Sequence, residues 1–200
     1  ALHQENTNAA ICFGRMDQYL YPMYRADMDS GRLDPQGAGE LIASFFIKMG
    51  DHTFITPRAA HKLLGGASTN QAVTIGGVNM DGSDATNDLS FLALKMAELL
   101  ALREPNLAAR LHEQSPPEFR LALMESVQKT GALPALYNDI TVIKALVESG
   151  TTLEHARDYG VVGCVETTSA GRTMGMTAAI LFNVAAVLEL ALNDGIHPMS

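Results

Sequence analysis

Apolar residues repeat at two different spacings along the chain, and the two spacings alternate. Short apolar runs typical of buried strands occupy residues 72–76, 107–111, 134–137 and 161–165. Apolar positions three or four apart predict amphipathic helices over residues 35–49, 89–100, 117–130, 140–148, 151–160 and 177–193. Strands that alternate with helices predict an α/β fold, in which a parallel sheet or barrel is covered by helices.

The helix boundaries carry recognisable capping residues. Asp34 precedes Pro35 as an N-cap, Ser115 opens a predicted capping box that closes at Glu118, and Gly131 follows the end of that helix. No Pro-, Gly- or Ser-rich linker divides the chain. The sequence therefore predicts that residues 1–200 belong to a single domain.

The last predicted strand ends in Gly163, Cys164, Val165 and Glu166. In parallel sheets the functional site forms where the strands end, so we expect chemistry at this edge. A free cysteine is most often a small buried apolar residue. However, Glu166 is two positions from Cys164 and shares its face of a strand, which would join a thiol to a proton-transfer group. The local pattern leaves both interpretations open, and either predicts a buried Cys164.

Charge and cysteine content narrow the function classes. The formal net charge is −8 and the pI is about 5.1, which disfavours nucleic acid and anionic membrane surfaces as partners. No apolar run is long enough to span a membrane, and the two cysteines fit a reducing cytoplasmic compartment. The six histidines show no metal-ligand spacing, and the nearest to Cys164, His155, lies on a predicted helix. A metal site and a Cys/His hydrolase are therefore both disfavoured.

Four stretches in the same order along the chain resemble the glycyl radical enzymes, the pyruvate formate-lyase-like superfamily. They are residues 8–22, 71–88, 163–166 and 182–195. The resemblance implies a ten-stranded β/α barrel with the cysteine on a loop inside it. Because the family is several times longer and the chain begins without Met, we interpret residues 1–200 as an internal segment of one catalytic domain.

The resemblance also implies the chemistry. Cys164 would form a thiyl radical that abstracts hydrogen from a small organic substrate, and Glu166 would move a proton. The glycyl radical would be on a glycine outside this segment, installed by an activase that uses S-adenosylmethionine and an iron–sulfur cluster; no metal would be bound by this chain. The same resemblance implies a homodimer in the cytoplasm, or a microcompartment, of an anaerobic bacterium or archaeon.

The motif resembles the lyase branches of the family, because Cys164 is followed by Val165, whereas pyruvate formate-lyase has two adjacent cysteines. The substrate pocket is expected to include Cys12, Met176 and Ala178. Ala178 stands where diol dehydratases carry Asp, and Cys12 where many relatives carry Ser, which predicts a roomier and less polar pocket. We therefore expect a lyase that cleaves a C–C, C–O, C–N or C–S bond. A formate C-acetyltransferase and an inactive paralogue are the alternatives.

Overall fold

The computed structural model describes residues 11–50, 58, 70–173 and 184–196. Within this part the strands are β1 (Cys12–Arg15), β2 (Ala72–Gly76), β3 (Asn106–Leu111), β4 (Ala135–Asn138), β5 (Tyr159–Val162) and β6 (Glu166–Ser169). The helices there are α1 (Met16–Tyr19), α2 (Tyr21–Asp29), α3 (Pro35–Gly50), α4 (Asp88–Leu100), α5 (Pro117–Thr130), α6 (Asp139–Glu148), α7 (Leu153–Arg157) and α8 (Val184–Leu192).

The first four strands form one parallel sheet in the order β1-β2-β3-β4. Helices lie between β2, β3 and β4 in the chain, as the alternating pattern predicted. The fold class expected from the sequence is thus confirmed. The sheet also contains β1, a strand that the apolar pattern did not predict.

One face of the sheet packs against α3, α4 and α5. Val73 pairs with Leu107 and Ile75 with Ala109, and all four side chains belong to the main core. The helices contribute further fully or almost fully buried core residues: Ile42, Phe46, Met49, Leu89, Ala93, Leu94, Ala97, Phe119 and Leu123. Because β-strand side chains alternate between faces, Thr74, Asn106 and Arg110 point to the opposite face.

That opposite face is covered by a two-stranded antiparallel hairpin of β5 and β6. The Val161 N–H in β5 donates to Thr74 Oγ1 in β2 at 2.9 Å, which fixes the hairpin against the sheet. Val162 pairs with Glu166, so residues 163–165 form the turn. The sequence predicted a single strand over 161–165; the structure instead ends β5 at Val162 and returns the chain through β6.

Most of the predicted helix boundaries agree with the structure. Asp34 accepts a 2.7 Å hydrogen bond from the Gly37 N–H at the start of α3, and Gly131 ends α5 with a φ of 76°. The capping box predicted from Ser115 was wrong: the Ser115 hydroxyl oxygen accepts from the His112 N–H at 3.0 Å, and α5 begins after Pro116 without a side-chain cap. Of the helix predicted over residues 177–193, the described part is α8.

Candidate active site

Cys164 lies in the turn of the β5–β6 hairpin, and its side chain is exposed. Glu166 begins β6 and is partly buried, and its Oε2 accepts a hydrogen bond from the Val165 N–H at 3.1 Å. The expectation that Cys164 is buried was therefore wrong for the described residues. The strand that precedes it belongs to a hairpin laid on the sheet, so the turn is not packed between strands.

Strand β5 runs in the opposite direction to β3. Tyr159, at its base, contacts Arg110 in the carboxyl half of β3, whereas Cys164, in its turn, contacts Asn106 at the first position of β3. The turn is thus at the amino end of β3. Our expectation that Cys164 would lie at the carboxyl edge of the parallel sheet was wrong, because β5 is not one of the parallel strands.

Asn106 holds the cysteine turn through its side-chain amide. Its Nδ2 donates to the carbonyl oxygen of Gly163 at 2.8 Å and to that of Cys164 at 2.9 Å. Gly163 has a φ of 60°, a left-handed conformation that favours glycine. The turn therefore contains a glycine that adopts its left-handed conformation, and Asn106 binds the two peptide groups that flank Cys164.

A buried ion pair holds the base of the hairpin. The Arg110 guanidinium donates from Nε and Nη2 to the two Asp139 carboxylate oxygens, each at 2.9 Å. Arg110 also donates to the main-chain carbonyl of Tyr159, the first residue of β5, at 2.9 Å and to that of Arg157, the last residue of α7, at 2.8 Å. The side chains of Arg110 and Asp139 are 0% and 2% exposed, so water does not compete for these bonds.

Tyr159 completes this cluster. Its hydroxyl donates to Asp139 Oδ1 at 2.8 Å, and its ring lies under the Arg110 guanidinium, 3.8 Å from the guanidinium carbon. Burial raises the pKa of Tyr159 far above its ordinary value, so the hydroxyl stays protonated and remains a donor. A side chain at Gly77, where φ is 82°, would collide with the guanidinium, so the close approach of β2 and Arg110 requires glycine.

A cavity of about 510 Å³ lies between β1 and the hairpin, and Cys12 is one of its lining residues. Val162 and Thr168 line the same cavity from the hairpin. Glu166 pairs with Val162 and is two positions from Thr168, which puts the three on one face of the hairpin. The described lining residues do not include Cys164 or Glu166. Glu166 thus lies on the side of the hairpin that faces the cavity, although neither Glu166 nor Cys164 contributes to the described lining.

The Cys12 thiol is held in its protonated form by its surroundings. Burial raises its pKa, and the hydrogen bond that Sγ accepts from the Gly14 N–H at 3.2 Å offsets only part of that rise. The predicted pocket residues Met176 and Ala178 lie outside the described residues. The substrate-binding assignment of Cys12, Met176 and Ala178 stays a prediction.

Two residues near the cysteine turn were not predicted from the sequence. Asn106 is one, and Tyr137 is the other; the Tyr137 pKa is raised by burial and, to a smaller extent, by the negative charges of Glu166 and Cys164. The Tyr137 hydroxyl is buried and has no hydrogen-bond partner among the described residues. Neither had a local sequence signal, because each reads as an ordinary strand residue and only the folded hairpin brings it to Cys164.

The described ranges contain neither a candidate metal site nor a candidate membrane-spanning helix. Across residues 11–50, 58, 70–173 and 184–196, no three His, Cys, Asp or Glu side chains are grouped so that they could hold a metal ion. In the same ranges, no helix combines the length and the apolar character that crossing a bilayer requires.

Residues 1–200 match the Pyruvate formate lyase-like family, and the chain belongs to that family. It is 36% identical over 192 residues to the (2S)-3-sulfopropanediol dehydratase of Klebsiella oxytoca, covering 96% of this chain and 23% of that protein. It is 37% identical over 194 residues to the isethionate sulfite-lyase of Bilophila wadsworthia, again covering 96% of this chain and 23% of the relative. The chain therefore spans about a quarter of the length of these relatives.

The solved structures that resemble this chain belong to glycyl radical enzymes. The fold is similar to a glycyl radical enzyme from Archaeoglobus fulgidus, with a TM-score of 0.88 and 38% identity over 98% of this chain and 25% of that one. It is also similar to the glycerol-bound B12-independent glycerol dehydratase from Clostridium butyricum, with a TM-score of 0.82 and 38% identity over 94% and 23%. Glycyl radical enzymes have a ten-stranded β/α barrel, and the parallel sheet described here is part of that architecture.

Proposed function

We propose that the full-length protein containing this chain is a glycyl radical lyase in which Cys164 abstracts hydrogen from a small organic substrate. The observation that carries the proposal is the hairpin turn that presents Cys164, held at its base by Arg110 and at its tip by Asn106. Membership in the family supports this assignment, and so do relatives that are named as dehydratases and lyases.

The exposed position of Cys164 fits a reaction that involves a group outside this chain. Such a group, a glycyl radical, would take the hydrogen atom of the Cys164 S–H bond and leave the unpaired electron on the sulfur. The Cys164 sulfur then takes a hydrogen atom from a substrate C–H bond, which reforms S–H and leaves the radical on carbon. An adjacent C–O, C–N, C–S or C–C bond breaks, and the product radical recovers a hydrogen atom from Cys164.

Glu166 is proposed to move the proton that this bond cleavage requires. Its carboxylate already lies beside the turn, where Oε2 accepts from the Val165 N–H. A leaving hydroxide needs a proton, and a substrate hydroxyl that becomes a carbonyl must lose one. As a carboxylate, Glu166 can accept the proton of the substrate hydroxyl, and as the resulting carboxylic acid it can donate that proton to the leaving hydroxide.

The substrate is proposed to be a small molecule that carries a hydroxyl or another leaving group beside an abstractable C–H. The names of the relatives support this class: sulfopropanediol, isethionate and trans-4-hydroxy-L-proline are all hydroxylated. Cys12, Met176 and Ala178 are proposed to line the pocket, with Cys12 facing the cavity beside the hairpin. Replacement of an Asp by Ala178 favours a substrate with fewer hydroxyl groups than glycerol.

The remaining parts of the proposal concern the whole protein. We propose that residues 1–200 belong to one catalytic domain, that an S-adenosylmethionine-dependent activase installs the radical, and that the enzyme is a cytoplasmic homodimer working without oxygen. The resemblance to the family supports each of these statements. Gel filtration of the full-length protein, and the dependence of its activity on the activase and on the exclusion of oxygen, test them.

The test of the function uses the full-length protein activated without oxygen. We expect turnover of at least one member of a panel of 1,2-diols, hydroxysulfonates, hydroxyprolines and amino alcohols. Glu166→Gln should lower kcat by about 10²–10⁴-fold, the usual contribution of general acid–base catalysis. The control is Glu148→Gln, the same change on the exposed side of α6, which should leave kcat at the parental value.

Two results would contradict the proposal. One is a full radical signal with no turnover of any panel member but activity on a 2-oxo acid with coenzyme A, which would indicate a formate acetyltransferase. The other is a full radical signal without activity on either class, which would indicate an inactive paralogue. Parental turnover by Glu166→Gln would remove Glu166 from the proposal and leave the role of Cys164 standing.

A further inference from the structure

One side-chain amide contacts both peptide groups on either side of Cys164. The Nδ2 of Asn106 donates one hydrogen to the carbonyl of Gly163 at 2.8 Å and the other to the carbonyl of Cys164 at 2.9 Å. Both partners are acceptors, so only the amide nitrogen, and not Oδ1, can face them. The orientation of the Asn106 amide therefore follows from the chemistry of its neighbours.

Holding these two carbonyls fixes the direction of the Cys164 side chain. Each peptide group is planar, and the planes on either side of Cys164 meet at its Cα. Once both planes are held, the Cα–Cβ bond that leads to the thiol has one direction. Asn106 belongs to β3, which is paired with a strand on each side, so its hydrogen bonds attach the turn to a rigid element.

We infer that Asn106 is a positioning residue that aims the Cys164 thiol. The inference rests on the proposed function of Cys164 and deepens it. Hydrogen-atom transfer requires short donor–acceptor distances, and Cys164 must meet two different partners, the radical source and the substrate C–H. A displacement of about 1 Å can cost about 10²-fold in rate. A turn held only at the base of the hairpin would leave the thiol free to move by such amounts.

The test compares Asn106→Asp with the parent in the full-length protein. Asp has the same shape, but its carboxylate cannot donate and would place negative charge against two carbonyl oxygens. Asn106→Ala is the second variant, which removes the donors without adding charge. The control is Asn193→Asp, the same amide-to-carboxylate change at an exposed residue that follows α8.

The first measurement needs no radical. In the protein that has not been activated, we expect the backbone amides of residues 162–166 to exchange hydrogen about tenfold faster in both Asn106 variants, which corresponds to about 1.4 kcal/mol of lost hydrogen bonding. Hydrogen exchange in β2, residues 72–76, should keep the parental rate. This internal comparison separates release of the turn from general unfolding.

The second measurement uses activated protein. Asn106→Asp and Asn106→Ala should lower kcat by about 10²-fold while KM and the glycyl radical signal stay at parental values, because the Asn106 amide binds the main-chain carbonyls of the turn. The Asn193→Asp control should match the parent in both measurements.

The proposal requires both changes. Parental hydrogen exchange of residues 162–166 in the two variants would overturn it, because the turn would not depend on Asn106. Faster exchange with a parental kcat would also overturn it, because the held position would not matter to the reaction. A failure of the proposed function itself is distinguishable, since it would appear as turnover by a protein that lacks the Cys164 thiol.

Discussion

The two cysteines of this chain have different surroundings. Cys12 is half-buried on β1, accepts a hydrogen bond from the Gly14 N–H, and has a pKa raised by burial. Cys164 is exposed in a turn whose backbone is held by Asn106. A buried, protonated thiol suits the wall of a pocket. A thiol presented on a held turn suits a reaction with successive partners.

Asp17 is a fully buried carboxyl group whose pKa is shifted by the fold. It is 0% exposed, and its Oδ2 accepts from the Gly76 N–H at 2.7 Å and from the Ser90 hydroxyl at 2.5 Å. Burial raises its pKa above 3.8, and these hydrogen bonds lower it by less. The protonated form is therefore favoured more in the folded state than in the unfolded state.

The raised pKa of Asp17 predicts that the difference in stability between the parent and Asp17→Asn depends on pH. The favourable contribution of protonated Asp17 is complete below the unfolded-state pKa and is lost as pH rises through the folded-state pKa. Asn keeps an acceptor for Gly76 and does not titrate. The urea midpoint of Asp17→Asn in the full-length protein should therefore rise relative to the parent as pH increases over this interval. A constant difference, or one of opposite sign, would contradict the direction of the shift.

At the scale of elements, the hairpin is held to β3 at two points on one face of that strand. Asn106 and Arg110 are four positions apart, so both point to the hairpin, Asn106 at its turn and Arg110 at its base. The Arg110–Asp139 pair also joins the start of α6 to this arrangement. The base of the hairpin thus depends on an ion pair that water does not reach.

Removing one charge from this pair should release the base of the hairpin. Asp139→Asn leaves Arg110 buried without its counter-charge, which costs about 3–5 kcal/mol. Hydrogen exchange in the full-length protein should show lost protection across residues 159–169. The control is Asp29→Asn, the same substitution in the exposed Arg25–Asp29 pair of α2, which should leave protection at the parental level. Equal effects of the two substitutions would contradict the proposed role of the buried pair.

The sequence predicted the elements whose local pattern agrees with their place in the fold. Strands β2 and β3 are apolar because both sheet faces are covered, and α3, α4 and α5 show the apolar stripe that packs on them. Strand β6 consists of Glu166, Thr167, Thr168 and Ser169, which have no apolar alternation. Its neighbour is β5, and the hydrogen bond that fixes β5 joins Val161 to Thr74, a contact that no local pattern encodes.

At the scale of the whole molecule, the sequence located the candidate catalytic residues but not their surroundings. Four stretches in the same order along the chain, one of them the motif around Cys164 and Glu166, indicated the family. Asn106 is 58 positions from Cys164 and comes to it only when β5 folds back over β3. The exposure of Cys164 was also not predictable, because the apolar run before it indicated a strand inside the sheet.

The chain spans about a quarter of the length of its relatives. This part provides a sheet, the helices behind it and the hairpin that carries Cys164. The exposed thiol is presented towards space that the described residues leave open. We therefore propose that this chain contributes the hydrogen-abstracting thiol and its support, and not the source of the radical.

The central claim is that Cys164 is the hydrogen-abstracting thiol, and Cys164→Ser tests it most directly. The variant is prepared in the full-length protein, activated without oxygen, and examined for turnover and for the glycyl radical by electron paramagnetic resonance. Cys12→Ser, the same substitution at the other cysteine, is the comparison, and we expect it to keep the reaction while changing KM.

We expect Cys164→Ser to lose turnover completely and to keep the glycyl radical signal. A serine O–H bond is much stronger than a cysteine S–H bond, so the hydroxyl cannot give up its hydrogen atom to the radical, whereas installation of the radical does not require the thiol. Turnover by Cys164→Ser near the parental rate would contradict the account.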